Sequence, residues 1–143
     1  DVSEELNRLG KRFPLPQRDN GFLLIVRRNK DLMNSSGSQL AATIRKHGSN
    51  KAYLHPEEME QLGITPGTEI ELKSSVGCLR CPAALDPTLQ RGIVSVSHGW
   101  SGNPLAPFEA TNALVDDERD IETINAMPVM TGIEITIHKV GPS

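Results

Sequence analysis

The chain has 143 residues, 37% hydrophobic and 23% charged, with a formal net charge of -3, which describes one ordinary globular domain with a core large enough to fold. No stretch approaches the ~18 consecutive apolar residues of a membrane helix. The longest apolar run is also too short for a secretory signal core, so a cytoplasmic address without a membrane partner is expected. Aromatic residues are only 3%, which argues against nucleic-acid recognition by base stacking, a mode that needs several exposed rings.

The charge is unevenly placed. Residues 1–50 carry nine Lys/Arg against five Asp/Glu, and the remainder six against thirteen. Either a bound anion or simply an uneven solvated surface accounts for this.

In chain order, Val2, Leu6 and Leu9 fall at helical spacing, with acids ahead of Arg8, Lys11 and Arg12, as a short helix and its dipole require. Pro14 and Pro16 end it, so residues 1–20 read as a linker or leader and the domain as residues 21–143. The run from Gly21 to Val26 is continuously apolar and predicts a strand buried on both faces. Residues 38–46 are ambiguous. Residues 51–54 read as a second strand, followed by a short helix over residues 55–62 with Pro56 in its first turn, Glu57 and Glu58 at its positive end and Gly63 beyond it.

Alternation then takes over. Ile70 and Leu72 oppose Glu69, Glu71 and Lys73, and a run over residues 76–83 follows a turn at Ser74-Ser75, which predicts a half-exposed hairpin. Residues 93–97 form another strand, and Ile133, Ile135 and Ile137 alternate with polar residues in a last one. Between them lies a long loop over residues 100–129, a length usually kept for function.

Cys78 and Cys81 form the sole Cys-x-x-Cys pair, but two thiols do not complete a zinc site, and strand positions three apart face opposite sides. No metal ligand is assigned. The four histidines lack metal-ligand spacing, and phosphate-loop and Gly-x-Gly-x-x-Gly motifs are absent. What remains is polarity at strand ends: Arg27-Arg28 with Asn34-Ser35, His98-Gly99, and Asn112 with Asp116 in the long loop. Were these ends to converge, they would offer cations for phosphate and amide or carboxylate groups for a heterocycle's edge.

The ordered series Leu24-Ile25-Val26-Arg27-Arg28, Met33-Asn34-Ser35, Leu54-His55-Pro56-Glu57-Glu58, Leu62 to Gly67, Ser97-His98-Gly99-Trp100, Asn112-Ala113-Leu114 and Asp116 to Asp120 resembles the C-terminal domain of the molybdopterin oxidoreductases, the dimethyl sulfoxide reductase family that includes formate dehydrogenases and nitrate reductases. The resemblance implies a mainly β protein with short helices, a double-psi β-barrel of the aspartate decarboxylase-like type. It implies binding of molybdopterin guanine dinucleotide through Arg27, Arg28, Asn34, Ser35, His98, Gly99, Asn112 and Asp116, with molybdenum or tungsten carried by the full enzyme and no catalytic residue here. The partners it implies are the remaining domains or catalytic subunit of that oxidoreductase. Ser36-Gly37-Ser38-Gln39 departs from the Trp-Met-His-Asn found in many relatives. The polar start favours a piece of a longer enzyme over a separate subunit. Two other readings stand beside it: a stand-alone double-psi barrel acting as a protein-interaction adaptor, and a self-processing barrel cleaved at Gly37-Ser38 or Gly48-Ser49.

Overall fold

The computed structural model describes residues 21–34, 36–38, 40–100, 110–119 and 121–141. The helix and connector expected over residues 1–20 lie outside these. Six strands follow one another as β1 (Gly21–Arg27), β2 (Ala52–Leu54), β3 (Glu69–Lys73), β4 (Cys78–Leu85), β5 (Ile93–Ser97) and β6 (Ile133–Lys139). Helix α1 (Ala41–His47) lies between β1 and β2, α2 (Pro56–Gln61) between β2 and β3, and a 3-10 turn (Thr111–Leu114) between β5 and β6.

The strands close into a barrel in the order β1-β5-β2-β4-β3-β6. Two pairs are parallel, β1 with β5 and β2 with β4, and the other four are antiparallel. Advancing every strand by three places maps each pair onto another of the same sense, so the two halves of the chain are related by an internal two-fold. This interleaved double crossover is the double-psi β-barrel. Its interior holds Leu24, Leu54, Ile70, Leu72, Leu79, Val94 and Val96, all fully buried, with Leu114 of the 3-10 turn and Met59 of α2 plugging its ends.

The alternating strands follow their sequence pattern. On β3, Ile70 and Leu72 point inward, and Glu69 and Lys73 stay exposed. On β1 the expectation of two buried faces fails: Phe22 and Leu24 are buried, whereas Leu23, Ile25 and Val26 are only half-buried. A barrel wall one sheet thick has a single interior, and its outer face keeps contact with solvent.

The β3–β4 hairpin also turns later than expected. Ser74 Oγ accepts from the backbone N–H groups of Val76 and Gly77, both at 3.2 Å, so Val76 belongs to the turn and the strand starts at Cys78. On β4, Cys78 is exposed and Cys81 buried, on opposite faces as the spacing implies.

Helix α2 is built as its residues suggest. His55 caps it, its Nδ1 accepting from the Glu57 N–H at 3.2 Å, Pro56 opens it, and Gly63 follows the end at a φ of 62°. The ambiguous residues 38–46 contain most of α1, which has no side-chain cap and is flanked by Leu40 in extended conformation and by Gly48 at a φ of 74°. The described residues of the long loop include the 3-10 turn and a small antiparallel bridge between Ile121 and Pro128.

Strand directions settle which connections share an end. Arg27 pairs with Ser97, and Ala52 with Val96. The described residues within 28–51, the 74–77 turn and the described residues within 98–132 therefore belong to one end of the barrel, and the connections through residues 55–68 and 86–92 to the other.

Candidate functional site

The end carrying the long connections holds every described residue named from the sequence. Arg27 and Arg28 are adjacent, and strand alternation sends them to different places. The Arg27 guanidinium is committed to the barrel wall: Nε donates to Ser95 Oγ at 2.7 Å, Nη2 pairs with Asp86, and the group lies 4.0 Å from the centroid of the Tyr53 ring. Asp86 also accepts from the Thr88 hydroxyl and N–H, at 2.6 and 3.0 Å. Those bonds, led by the Thr88 hydroxyl and followed by Arg27, lower its pKa from 3.8 to about 2. Arg28 is exposed and makes no hydrogen bond or ion pair among the described residues.

Beyond β1 the chain turns back on itself, Met33 and Ser36 exchanging backbone bonds of 3.2 and 3.0 Å around an exposed Asn34 at a φ of 55°. Asparagine tolerates that left-handed conformation better than most residues. Ser35 lies outside the described residues. His98, just past β5, bridges the two strand ends: Nδ1 lies 3.3 Å from the Arg27 carbonyl and Nε2 3.4 Å from Asn34 Oδ1. Gly99 follows at a φ of 91° that a side chain would strain. Arg27, Asn34 and His98 are thus brought together across the parallel pair β1–β5.

Asn112 and Asp116 stand on the other long connection. The Asn112 side chain is exposed on the 3-10 turn, where it helps line a cavity of about 250 Å³ with Val115, Asp117, Pro128 and Met130. Asp116 is half-buried, and its Oδ1 accepts from the N–H groups of Glu118 and Arg119 at 3.1 and 2.9 Å, which shapes the following turn. A larger cleft of about 790 Å³ lies on the outer wall of β6, lined by Lys73, Ser75, Thr136 and His138 among others, and includes none of the residues named from the sequence. Size alone is a poorer guide than the convergence of polar groups.

Two joints that hold this end together escaped the sequence reading. Asn50 is fully buried, and its Nδ2 donates to the Ser97 carbonyl at 3.0 Å and to Thr111 Oγ1 at 3.2 Å; Thr111 Oγ1 in turn donates to that carbonyl at 2.7 Å. This fastens the 3-10 turn to the end of β5. The second joint is Asp31, whose Oδ2 meets Lys46 Nζ at 2.8 Å and His47 Nε2 at 2.7 Å. Hydrogen bonds from Lys46 first and His47 second hold the Asp31 pKa below its ordinary value. The His47 ring stands edge-on to the buried Trp100, with centroids 6.5 Å apart. The loop bearing Arg28 and Asn34 is thereby tied through α1 to the segment bearing His98. A polar residue just ahead of a strand, as Asn50 is, was the one signal available.

This end carries a guanidinium without a partner among the described residues, two exposed carboxamides and an imidazole, groups whose chemistry suits phosphate and the polar edge of a heterocycle. No group of three or more His, Cys, Asp or Glu side chains is arranged for a metal among the described residues. The family model described as molydopterin dinucleotide binding domain matches residues 22–130, and the chain belongs to that family. No curated protein matches it. Acetylene hydratase from Pelobacter acetylenicus is similar in structure, with a TM-score of 0.73 and 20% identity over 94% of this chain and 19% of that one. The computationally designed msDPBB_sym2 protein superposes with a TM-score of 0.47 and 16% identity, over 84% of this chain and 96% of the design. The chain therefore spans about a fifth of the length of acetylene hydratase.

Proposed function

We propose that this barrel binds molybdopterin guanine dinucleotide as the C-terminal domain of a molybdenum- or tungsten-dependent oxidoreductase and performs no chemistry alone. The observation that carries the reading is the family match over residues 22–130, joined to a barrel end where Arg28, Asn34, His98 and Asn112 offer polar groups that are free or weakly engaged among the described residues. Arg28 takes the phosphate role, because its neighbour's guanidinium is already held by Asp86 and Ser95. Arg27 contributes through its carbonyl, which positions His98. Asn34 and Asn112 read the edges of the guanine or pterin. The cavity beside Asn112, at about 250 Å³, is below the ~300–1,000 Å³ of sites that enclose a whole drug-sized ligand, so the barrel holds part of the dinucleotide and other domains hold the rest.

When bound, the cofactor supplies a redox-active metal centre. This chain's residues supply charge neutralisation and orientation. No helix among the described residues is long and apolar enough to cross a membrane.

The test is cofactor retention in the enzyme as encoded in full. Arg28→Ala and Asn112→Ala should each lower the amount of pterin and guanosine monophosphate released per protein on acid treatment. Glu60→Ala, at the other end of the barrel, should leave it unchanged. Full retention in both site variants would sink the assignment.

A further inference from the structure

Helix α1 has few interactions of its own to hold it: seven residues, no capping side chain and only Thr43 buried. Its last turn is gripped from two sides at His47. Nε2 lies 2.7 Å from Oδ2 of Asp31, on the loop after β1, and the same oxygen meets Lys46 Nζ at 2.8 Å. The ring also stands at 79° to the buried Trp100, just past β5. Besides the packing of the buried Leu32, the loop's other bonds among the described residues are local or long. The Leu32 N–H donates to the Asn29 carbonyl at 3.1 Å, the Asp31 N–H to Asn29 Oδ1 at 3.0 Å, Met33 pairs with Ser36, and Asn34 Oδ1 lies 3.4 Å from His98.

This joint has a titratable member. A carboxylate only accepts, so Nε2 carries the hydrogen toward Asp31, and Nδ1 is the atom where the ring takes up or releases its second proton. Imidazole is the side-chain type whose charge changes between about pH 5 and 8. Among the described residues the charged groups that face the ring are Asp31, from the β1 loop, and Lys46, beside it on α1; Arg45 is exposed one position earlier, and the end of β5 presents the uncharged Trp100. His98, two residues before Trp100, is turned toward the Arg27 carbonyl and Asn34. Hydrogen bonds from Lys46 and then His47 hold the Asp31 carboxyl below its ordinary range, so it stays ionised while the ring titrates. Loss of the ring's charge leaves a neutral hydrogen bond where a charged one stood, about half as strong.

We infer that Asp31, Lys46 and His47 form a pH-sensitive clasp on the loop that carries Arg28 and Asn34, tightened when His47 takes up a proton and loosened when the proton leaves. The clasp stands on its own geometry; its effect on a ligand rests on the proposed function. A loop fixed in place before binding has less entropy to lose when phosphate meets Arg28. The sign follows: the loop is firmer, and the dinucleotide better retained, at the acid end of the imidazole range than at the alkaline end.

Trp100 is the sole tryptophan of the 143-residue chain, and its ring centroid lies 6.5 Å from that of His47, so its fluorescence reports on the clasp. A protonated imidazole quenches a neighbouring indole, and emission should therefore rise through one transition between about pH 5 and 8. His47→Gln should abolish that transition, His98→Gln should keep it, and Asp31→Asn should move its midpoint to lower pH by about half a unit or more. Amide exchange at Asp31, Leu32 and Met33, corrected for its intrinsic pH dependence, should be about two- to fivefold slower at the acid end in the parent and equal at both ends in His47→Gln. A flat emission profile, a transition that survives His47→Gln, or loop exchange that ignores the transition would overturn the clasp. In the enzyme as encoded in full, pterin retained per protein after dialysis at the two ends of the range should favour the acid end in the parent and be equal in His47→Gln. Clasp signals with no dinucleotide held at either pH would fault the binding assignment alone, and dinucleotide held without clasp signals the clasp alone.

Discussion

Arg27 and Arg28 are the same residue type one position apart, and they carry opposite expectations. Arg27→Ala strips partners from Asp86 and Ser95 and uncovers Tyr53, and losing a charge-assisted bond of this kind costs about 2 kcal/mol. Arg28→Ala removes an exposed side chain and stays within about 0.5 kcal/mol of the parent. Urea denaturation of the two variants reads that contrast directly. Asp86 adds a pH signature. Its folded pKa, about 2, lies below the ordinary 3.8, so its contribution is complete above about pH 4 and is lost as pH falls toward 2. Melting temperatures between pH 2 and 5 should therefore fall more steeply in the parent than in Asp86→Asn. The sequence showed two arginines after a strand, and period-two alternation places them on opposite faces. Which one is held could not be read, because its partners lie 59 and 68 positions away.

At the scale of elements, Gly77 is the position where the β3–β4 turn meets the 3-10 turn. A Cβ there would stand 2.2 Å from the Ala113 carbonyl oxygen, a backbone atom that cannot swing aside. Gly77→Ala should displace the 3-10 turn and cost on the order of 1–3 kcal/mol. Faster amide hydrogen exchange across residues 110–119, with β1 and β5 unaffected, would show the damage is local. Elements with an internal signal were legible: the alternation of β3 and β6, and His55-Pro56-Glu57-Glu58 opening α2. Helix α1 was not, because it lacks a capping side chain and buries only Thr43. The 3-10 turn is likewise held by Asn50 and Ser97 from elsewhere in the chain rather than by its own residues.

Across the whole molecule, what decides the fold is the placement of β5 between β1 and β2 and of β4 beside β2, and nothing local marks it. Leu23 pairs in parallel with Ile93, and Ala52 with Ala83. Only the ordered series of motifs pointed to the barrel, through resemblance. The polar residues at this end were readable by type, and the meeting of Arg27, Asn34 and His98 across β1 and β5 was not. The pairing has a kinetic price: parallel partners so distant must meet after long loops close, so refolding should take milliseconds to seconds. A microsecond refolding phase carrying the full fluorescence change of Trp100 would contradict that.

Closure of the barrel sets how the domain can go wrong. An open sheet with a free strand edge can recruit another backbone and grow by strand addition. Here each of the six described strands already has two neighbours, so the barrel itself offers no open strand edge to template a fibril. Whatever gathers copies of the separated barrel acts through side chains alone. Its clusters should stay native in circular dichroism, fail to bind amyloid dyes and disperse again on dilution.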